Sequence, residues 1–236
     1  MMGSIGEETE KIRCYFDEVA SRYDFMNTLL SFGIHHIWKR TAVRKLELKS
    51  GDRIIDICGG TGDLATLASS ETGAADRIAI YDLNRLMMVT GRKKRAGVPG
   101  NTVSYVQGNA EIISFHDNTF DAVMIGFGIR NVVDMLKGLK EIYRVLKPGG
   151  RMMCLEFSTP GNSVFKWLYD FYSFYFIPVI GKIITGSIQA YTHLPVSIRK
   201  FPQPDQFSDI LKDIGFSDVS YQKLTHGIAV IHMGKK

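Results

Sequence analysis

The spacing of apolar side chains predicts helices in the first part of the chain and short strands after it. Ile12 and Phe16 lie four positions apart, and apolar residues continue at helical spacing through residues 12–47. The pattern then changes, because residues 53–58 form a short apolar run that leads into glycines and is typical of a buried strand. We therefore interpret residues 1–50 as a helical cover that precedes the main sheet.

Strands and helices alternate across the middle of the chain. Short apolar runs predict strands at 53–58, 77–81, 102–107, 120–126 and 151–157. Helical periodicity predicts helices at 62–70, 84–96 and 132–146, the last of which ends at a Lys-Pro-Gly-Gly sequence. This alternation is typical of an α/β fold with a doubly wound, mostly parallel sheet and helices on both faces. We assign residues 51–160 to this core.

Residues 161–200 interrupt the alternation and are rich in aromatic side chains. Between Phe165 and Phe176, eight residues are Phe, Tyr or Trp. We interpret this segment as an inserted helical flap. Aromatic residues at this density usually form a core, and the alternative is a wall for an apolar ligand or a shallow membrane contact through residues 163–190.

The last part of the chain, residues 201–236, completes the predicted sheet. A helix is predicted at 205–214, and two β runs follow at 217–224 and 227–233. Because these two strands are close in sequence, we expect them to form an antiparallel hairpin. In this interpretation residues 1–236 are a single domain.

The composition is that of an ordinary globular protein. Of the 236 residues, 45% are hydrophobic and 22% are charged, which excludes a disordered or collagen-like chain. The net charge of +5 is too small to indicate a nucleic-acid partner. The three cysteines, Cys14, Cys58 and Cys154, have no CxxC spacing, so we expect neither a disulfide framework nor a metal site.

The sequence also bears on location and assembly. The longest apolar stretch without a charge runs from Phe171 to Gly181 and is shorter than the roughly 20 residues that a bilayer span requires. We expect a cytoplasmic protein, with peripheral contact at the inner face of the membrane as one alternative for the flap. The oligomeric state stays open, and a homo-oligomer is among the states that the sequence allows.

Candidate binding residues follow the first three predicted strands. The loop after the first strand contains Gly60, Thr61 and Gly62, and such glycines let the backbone approach a ligand closely. Asp82 ends the second strand, where a carboxylate can accept hydrogen bonds from both hydroxyls of a ribose. Asn109 follows the third strand, in a suitable place for an adenine edge. The pattern favours an adenosine cofactor and does not choose between NAD and S-adenosylmethionine.

Further motifs are spread along the chain and carry a resemblance to a known family. The most specific are YDFMN at 23–27 and FGIRN at 127–131, and the less specific ones include GGTGD at 59–63 and RVLKPGG at 144–150. Together they resemble the ubiquinone/menaquinone biosynthesis C-methyltransferase family. Two positions depart from that family's pattern, since Cys58 stands where a small residue such as alanine is common and Gly126 where many members have serine.

The resemblance implies a class I, Rossmann-like methyltransferase that uses S-adenosylmethionine to methylate a ring carbon of a polyprenylated quinol. It leaves open whether the ring is a benzoquinol or a naphthoquinol, and how long the tail is. The cofactor contacts that carry over to this sequence are Gly60, Thr61, Gly62, Asp82, Asn109 and Ala110.

Catalytic candidates come from the same motifs. We assign Arg130 to the stabilisation of a phenolate oxygen that develops on the ring. The candidates for the proton acceptor are Asp24, His35, Glu156 and a water held by Arg130 and Asn131. The alternative for each of these side chains is a structural role. Asp24 would hold the N-terminal helices in place, His35 would pack in the interior and Glu156 would support a loop.

Three other functions remain as alternatives at this stage. One is a methyltransferase for a different small hydrophobic aromatic acceptor. A second is an NAD(P)-linked oxidoreductase, which would share the glycine loop and Asp82 but would leave the YDFMN and FGIRN segments unexplained. The third is a non-catalytic lipid-binding subunit of a quinone-synthesis assembly.

Overall fold

The short apolar runs form the centre of a twisted sheet, as their pattern predicts. The structure, a computed structural model, describes residues 2–73, 77–96 and 103–236. In these residues the strands are β1 (Ile54–Ile57), β2 (Ile78–Asp82), β3 (Ser104–Gln107), β4 (Phe120–Gly126), β5 (Leu146–Phe157), β6 (Ser217–Leu224) and β7 (Ala229–Lys235). They form one sheet in the order β3-β2-β1-β4-β5-β7-β6. The first five strands are parallel and β7 is antiparallel to β5 and β6, so the predicted fold class is confirmed.

Helices surround the sheet and make up most of residues 2–50 and 161–200. Those of the first part of the chain are α1 (Met2–Val19), α2 (Tyr23–Leu30), α3 (Ile34–Lys45), α4 (Asp63–Thr72), α5 (Arg85–Arg95) and α6 (Met135–Val145). They are followed by α7 (Ser163–Phe171), a π-helical turn (Tyr172–Phe176), α8 (Ile177–Thr185), α9 (Gln189–Lys200) and α10 (Pro204–Ile214). No helix in the described parts of the chain has both the length and the apolar character needed to cross a bilayer.

Two boundaries differ from the prediction by several residues. The helix predicted at 132–146 begins only at Met135, because Asp134 accepts a hydrogen bond from the backbone of Lys137 and caps it. A 3-10 turn at Ile129–Asn131 precedes this cap. The strand predicted at 151–157 begins earlier, at Leu146, because that residue already pairs with β4. Residue 102, the first of the predicted third strand, lies outside the described residues.

Alternate side chains of each strand enter different cores, as the pleat of a strand requires. On β1, Ile55 and Ile57 pack in a cluster with residues of α6 and α10, whereas Ile54 packs with residues of α3 and α4. A third cluster joins α1 and α2 to α8 and α9, with Val19 and Tyr191 among its buried members. The N-terminal cover and the flap therefore pack against each other over one end of the sheet.

The flap does not bury most of its aromatic residues. Trp167 is 67% exposed and Tyr175 is 66% exposed, and α7 has no buried residue at all. Four further aromatic side chains of the segment are exposed, namely Phe165, Phe171, Phe174 and Phe176. The interpretation of this aromatic run as ordinary core is therefore wrong for six of its eight aromatic residues.

Candidate active site

A large cleft opens at the carboxyl ends of β1, β2 and β4, the edge where parallel sheets bind ligands. Its volume is about 1040 Å³. Most of the predicted binding residues line it, namely Gly60, Thr61, Asp82, Asn109, Ala110 and Asn131. Helix α1 covers it, since Ile12 and Phe16 belong to the lining as well.

Asp82 is held rigidly at the end of β2. Its Oδ2 accepts a hydrogen bond of 2.8 Å from the backbone of Gly60, and its Oδ1 accepts one of 2.7 Å from the backbone of Asn84. Burial raises the pKa of Asp82 to about 6, against the effect of these two bonds. Each carboxylate oxygen can accept a further hydrogen bond, so the side chain suits a ligand with neighbouring hydroxyls.

Asp56 is a polar residue of the cleft that we did not assign from the sequence. Its Oδ2 accepts a 3.2 Å hydrogen bond from the backbone of Ala65, while its buried Oδ1 has no partner in the described parts of the chain. Burial raises the pKa of Asp56 to about 7. An unpartnered carboxylate oxygen beside a cleft is suited to a ligand ammonium group. Its position, just before the glycine loop on β1, is the signal that could have identified it.

Asp24 belongs to an ion-pair network beside this cleft, and its side chain is not part of the lining. Its Oδ1 accepts a 2.8 Å hydrogen bond from Thr61, and its Oδ2 lies 2.7 Å from the ammonium of Lys94. Lys94 also pairs with Asp63 at 2.8 Å, and Asp63 pairs with the buried Lys39 at 2.8 Å. Although burial alone would raise it, these two ammonium groups hold the pKa of Asp63 well below its usual range. Asp24 thus links α2 to the glycine loop and α5.

Two glycines of the site differ in what they do. Gly62 has φ of 79° and is the N-cap of α4, and it does not line the cleft. Gly126 does line the cleft, and a Cβ placed there would lie 2.7 Å from Cδ1 of Leu64. The side chain of Leu64 thus occupies the space beside the position at which the resemblance leads us to expect serine.

The turn after β3 is fixed by a buried tyrosine. The hydroxyl of Tyr81 lies 3.5 Å from the carbonyl oxygen of Asn109 and 3.2 Å from that of Ile112. The side-chain oxygen of Asn109 accepts a 2.9 Å hydrogen bond from the backbone of Glu111. Asn109 and Ala110 therefore form an ordered edge of the cleft.

Helix α1 is attached to this cleft by Asn84, the residue that caps α5. The amide nitrogen of Asn84 donates to the carbonyl oxygen of Arg13 at 3.1 Å and to Oδ1 of Asp17 at 2.9 Å. The side-chain oxygen of Asn84 accepts from the backbone of Met87 at 2.9 Å and forms the cap itself. One side chain therefore begins α5 and holds α1 over the cleft.

A second cleft of about 760 Å³ adjoins the first. The two share four lining residues, Phe16, Tyr23, Phe127 and Asn131. The exposed lining surface of the second cleft is mostly apolar, and its apolar or aromatic residues include Val19, Phe157, Tyr191 and Leu194. Its polar members include Arg130, His35 and His193. A cleft lined by the carboxylates of Asp56 and Asp82 and a second, mostly apolar cleft thus meet beside Asn131.

Arg130 is fixed in the second cleft by Glu156. Its Nη1 lies 2.8 Å from Oε2 of Glu156, and both side chains are almost fully buried. The same guanidinium donates to the carbonyl oxygen of Phe127 and stacks over the ring of Phe157, whereas its Nε is buried without a partner. Burial raises the pKa of Glu156 although Arg130 opposes this change. Glu156 also accepts from the backbone of Phe157 at 3.1 Å, so its carboxylate serves to position Arg130.

Asn131 and the two histidines leave further polar atoms available in the second cleft. Oδ1 of Asn131 lies 3.4 Å from Nε2 of His193, and Nδ2 of Asn131 is buried without a partner. Nε2 of His35 is also buried and unpartnered. His193 was not predicted, because a single histidine on a helix of the flap carries no sequence signal of its own.

The chain and its fold are similar to those of known proteins. A model of the ubiE/COQ5 methyltransferase family matches residues 4–236. The ubiquinone/menaquinone biosynthesis C-methyltransferase of Francisella philomiragia is 44% identical over 232 residues, which cover 98% of this chain and 92% of that protein. The corresponding protein of Pseudoalteromonas translucida is 43% identical over 223 residues, covering 94% of this chain and 88% of that protein. Among solved structures, a SAM-dependent methyltransferase of Thermotoga maritima matches with a TM-score of 0.65 at 18% identity and covers 95% of this chain and 99% of that one.

Proposed function

We propose, since the chain belongs to the ubiE/COQ5 methyltransferase family, that it methylates a ring carbon of a polyprenylated quinol with S-adenosylmethionine as the methyl donor. The acceptor is a quinol of menaquinone or ubiquinone biosynthesis, the pathways for which its relatives are named. The observation that carries this proposal is the meeting, at Asn131, of a cleft lined by the carboxylates of Asp56 and Asp82 with a second, mostly apolar cleft. One cleft suits a nucleoside joined to an amino acid, and the other suits an aromatic ring with a lipid tail.

The residues of the first cleft fit S-adenosylmethionine. Asp82 would accept hydrogen bonds from the ribose hydroxyls, and the unpartnered Oδ1 of Asp56 would accept one from the amino group. The turn at Asn109 and Ala110 would border the adenine, and the loop at Gly60 and Thr61 would lie against the amino-acid part. When bound, the cofactor supplies a methyl group on a positively charged sulfur, which is a good leaving group.

The residues of the second cleft fit the activation of the quinol. A ring carbon becomes strongly nucleophilic when a hydroxyl of the ring loses its proton. Arg130 and Asn131 line this cleft and have buried N–H groups without partners, so they would donate to the oxygen that becomes negative. The positive charge of Arg130 would also lower the pKa of that hydroxyl.

The central experiment is transfer of a labelled methyl group from S-adenosylmethionine to a panel of reduced quinones, with mass analysis of the products. We expect a single methyl group on a ring carbon, and we expect prenylated quinols to react better than small aromatic compounds. Transfer only to untailed aromatic compounds would favour the alternative acceptor. Binding of S-adenosylmethionine without transfer to any acceptor would favour the non-catalytic subunit.

The variant that tests the role of Arg130 is Arg130→Lys, which keeps a positive charge beside Glu156 but loses the guanidinium donors. We expect turnover to fall by about 10²–10³ because one oxyanion donor is lost, while the affinity for S-adenosylmethionine changes little. Arg144→Lys is the matched control, because Arg144 pairs with Glu141 and Asp117 and lines neither cleft. Unchanged turnover in Arg130→Lys would remove the assigned role.

We also propose that the exposed apolar face of the flap docks on the inner surface of a membrane, where the lipid-tailed quinol resides. Trp167 is 67% exposed and Ile183 is 77% exposed, and the exposed face continues over Phe171, Tyr175 and Val179. The only acidic residue between positions 163 and 185 is Asp170, which pairs with Arg199, while Lys166 and Lys182 are exposed. The face therefore combines apolar side chains with unneutralised positive charge, which suits an anionic lipid surface.

Sedimentation with phosphatidylglycerol vesicles tests this docking. We expect binding that weakens with salt and is lost in Trp167→Glu, whereas Leu136→Glu, at a 45% exposed position on α6, keeps it. Equal sedimentation of Trp167→Glu and the unchanged protein would reject the membrane contact. If instead the protein is a dimer that Trp167→Glu dissociates, with no vesicle binding, the face is an interface between two copies.

A further inference from the structure

The hydrogen bonds around His35 determine which of its ring nitrogens carries the proton. The hydroxyl of Ser31 lies 2.6 Å from the carbonyl oxygen of Asn27 and donates its only hydrogen there. The same Ser31 oxygen lies 2.7 Å from Nδ1 of His35, so in that contact it must accept. Nδ1 therefore carries the hydrogen, and Nε2 carries a lone pair.

The lone pair of Nε2 has no partner among the residues that the structure describes. His35 is 97% buried, and its Nε2 is among the buried polar atoms that make no hydrogen bond. The residue lines the second cleft together with Arg130 and Asn131. A buried acceptor without a donor is unfavourable in the free protein, and a ligand hydroxyl in this cleft would satisfy it.

The surroundings keep the imidazole neutral in the free enzyme. Burial, together with Lys39 and His36, lowers the pKa of His35 to about 4, against the opposing charges of Asp63 and Asp24. At neutral pH the lone pair of Nε2 is therefore free to accept a proton. A phenolate that forms beside the ring would raise the pKa of His35, because opposite charges in a buried site stabilise each other.

We propose that Nε2 of His35 accepts the hydroxyl proton of the quinol, an inference that rests on the proposed function. The O–H bond breaks, its electron pair stays on the oxygen beside Arg130 and Asn131, and the proton forms a bond to Nε2. After the ring carbon has received the methyl group, the hydrogen displaced from that carbon leaves as a proton to water. The imidazolium then returns its proton to the ring oxygen, so His35 ends the cycle neutral.

The test compares turnover of His35→Ala, His35→Gln and His116→Ala with that of the unchanged enzyme. We expect turnover of the two His35 variants to fall by about 10²–10³, as for loss of a general base, with unchanged affinity for S-adenosylmethionine. His116 is exposed and lines neither cleft, so His116→Ala should keep full activity. The Gln variant preserves most of the side-chain volume and decides the question if His35→Ala fails to fold.

Two readouts separate a proton acceptor from a packing residue. Added imidazole should restore part of the turnover of His35→Ala, and that variant's rate should rise with pH as the quinol ionises without help. Ser31→Ala should lower turnover about tenfold while remaining insensitive to imidazole, because the base is present but its tautomer is no longer fixed.

Normal turnover in His35→Gln, or no rescue and no change of pH profile in His35→Ala, would overturn the assignment while leaving the proposed function intact. Failure of the unchanged enzyme to methylate any reduced quinone would instead overturn the proposed function itself. The labelled-methyl assay on the unchanged enzyme distinguishes these two failures before any variant is compared.

Discussion

Asp82 is a carboxylate that must be ionised to accept two ribose hydroxyls, yet burial raises its pKa to about 6. Because this is above its ordinary value of 3.8, the free enzyme holds a proton on Asp82 below about pH 6 and must release it on binding. We expect the dissociation constant for S-adenosylmethionine to rise about tenfold between pH 7 and pH 5. Calorimetric titration over this range measures it.

The variant Asp82→Asn provides the control for this pH dependence. It should bind S-adenosylmethionine weakly at every pH and with a shallower pH profile, because the titrating group has been removed. Asp56, with its pKa raised to about 7 by burial, would account for any pH dependence that remains. An Asp82→Asn protein that keeps the full affinity and the full pH profile would contradict the assignment of Asp82 to the ribose.

Gly126 and Leu64 are neighbours in the first cleft. The side chain of Leu64 occupies the space beside Gly126, which has no side chain. A serine at position 126 would place its Cβ 2.7 Å from Cδ1 of Leu64, so the side chain of Leu64 would have to rotate. Both residues line the first cleft, and we expect Gly126→Ser to weaken binding of S-adenosylmethionine several-fold. Calorimetric titration of Gly126→Ser, Leu64→Ala and the double variant tests this coupling.

In that comparison, the two substitutions should not act independently. Contacting residues commonly show interaction energies of about 0.5–3 kcal/mol, so the double variant should bind more tightly than the sum of the single effects predicts. Additive effects on the dissociation constant would mean that Leu64 does not occupy the space in question. Thr119→Ser, at a position before β4, is a suitable control. Ala122→Ser is unsuitable because Ala122 is fully buried in the core.

At the scale of elements, α1 covers the first cleft and packs against α9 and α5. It is held over the cleft by Asn84, whose amide contacts Asp17 at 2.9 Å. We expect Asp17→Ala to loosen α1, raise amide hydrogen exchange over residues 6–19 and speed dissociation of S-adenosylmethionine several-fold. Glu18→Ala is the matched control because Glu18 is exposed. Equal exchange and equal dissociation rates in the two variants would show that this contact does not hold the helix.

The elements that the sequence predicted well are those whose pattern is set locally. The apolar run at 53–58 and the glycines after it identified β1 and its loop, and α10 and β6 were placed within one residue of their ends. The start of α6 differs from the prediction because Val132 and Val133, which lie between a 3-10 turn and the cap at Asp134, continue the apolar pattern of the helix. The early start of β5 depends on pairing with β4, which no local pattern reveals.

The candidate site can likewise be divided into features set by local sequence pattern and features set by tertiary packing. Asp82 and the glycine loop could be predicted because strand ends and glycines have recognisable positions along the chain. The attachment of α1 through Asp17, and the contact between His193 and Asn131, join residues far apart in sequence. The ion pair between Arg130 and Glu156 also depends on how the layers pack. The same is true of the contacts that Asp24 makes with Thr61 and Lys94.

At the scale of the whole molecule, the flap has two faces with different surroundings. Its inner face forms a wall of the second cleft through Tyr191 and Leu194, which also pack against Ile177 of α8. Its outer face carries the exposed Trp167 and Ile183. A lipid surface on the outer face would therefore lie against α7 and α8, and α8 packs against α9, the helix that forms the wall of the second cleft. This arrangement predicts that membrane contact matters for the delivery of a long-tailed substrate and not for the chemistry.

The prediction is a selective loss in Trp167→Glu, which places a negative charge in the middle of the outer face. For a long-tailed quinol presented in phosphatidylglycerol vesicles, we expect kcat/KM to fall at least tenfold, because the enzyme no longer reaches the surface that holds its substrate. For a short-tailed quinol in solution, turnover should stay within twofold, since Trp167 lines neither cleft. Leu136→Glu should leave both substrates unaffected. If Trp167→Glu lowers activity equally with both quinols, the substitution acts through the stability of the flap. If it leaves activity with both quinols unchanged, the long-tailed quinol enters the enzyme without membrane contact.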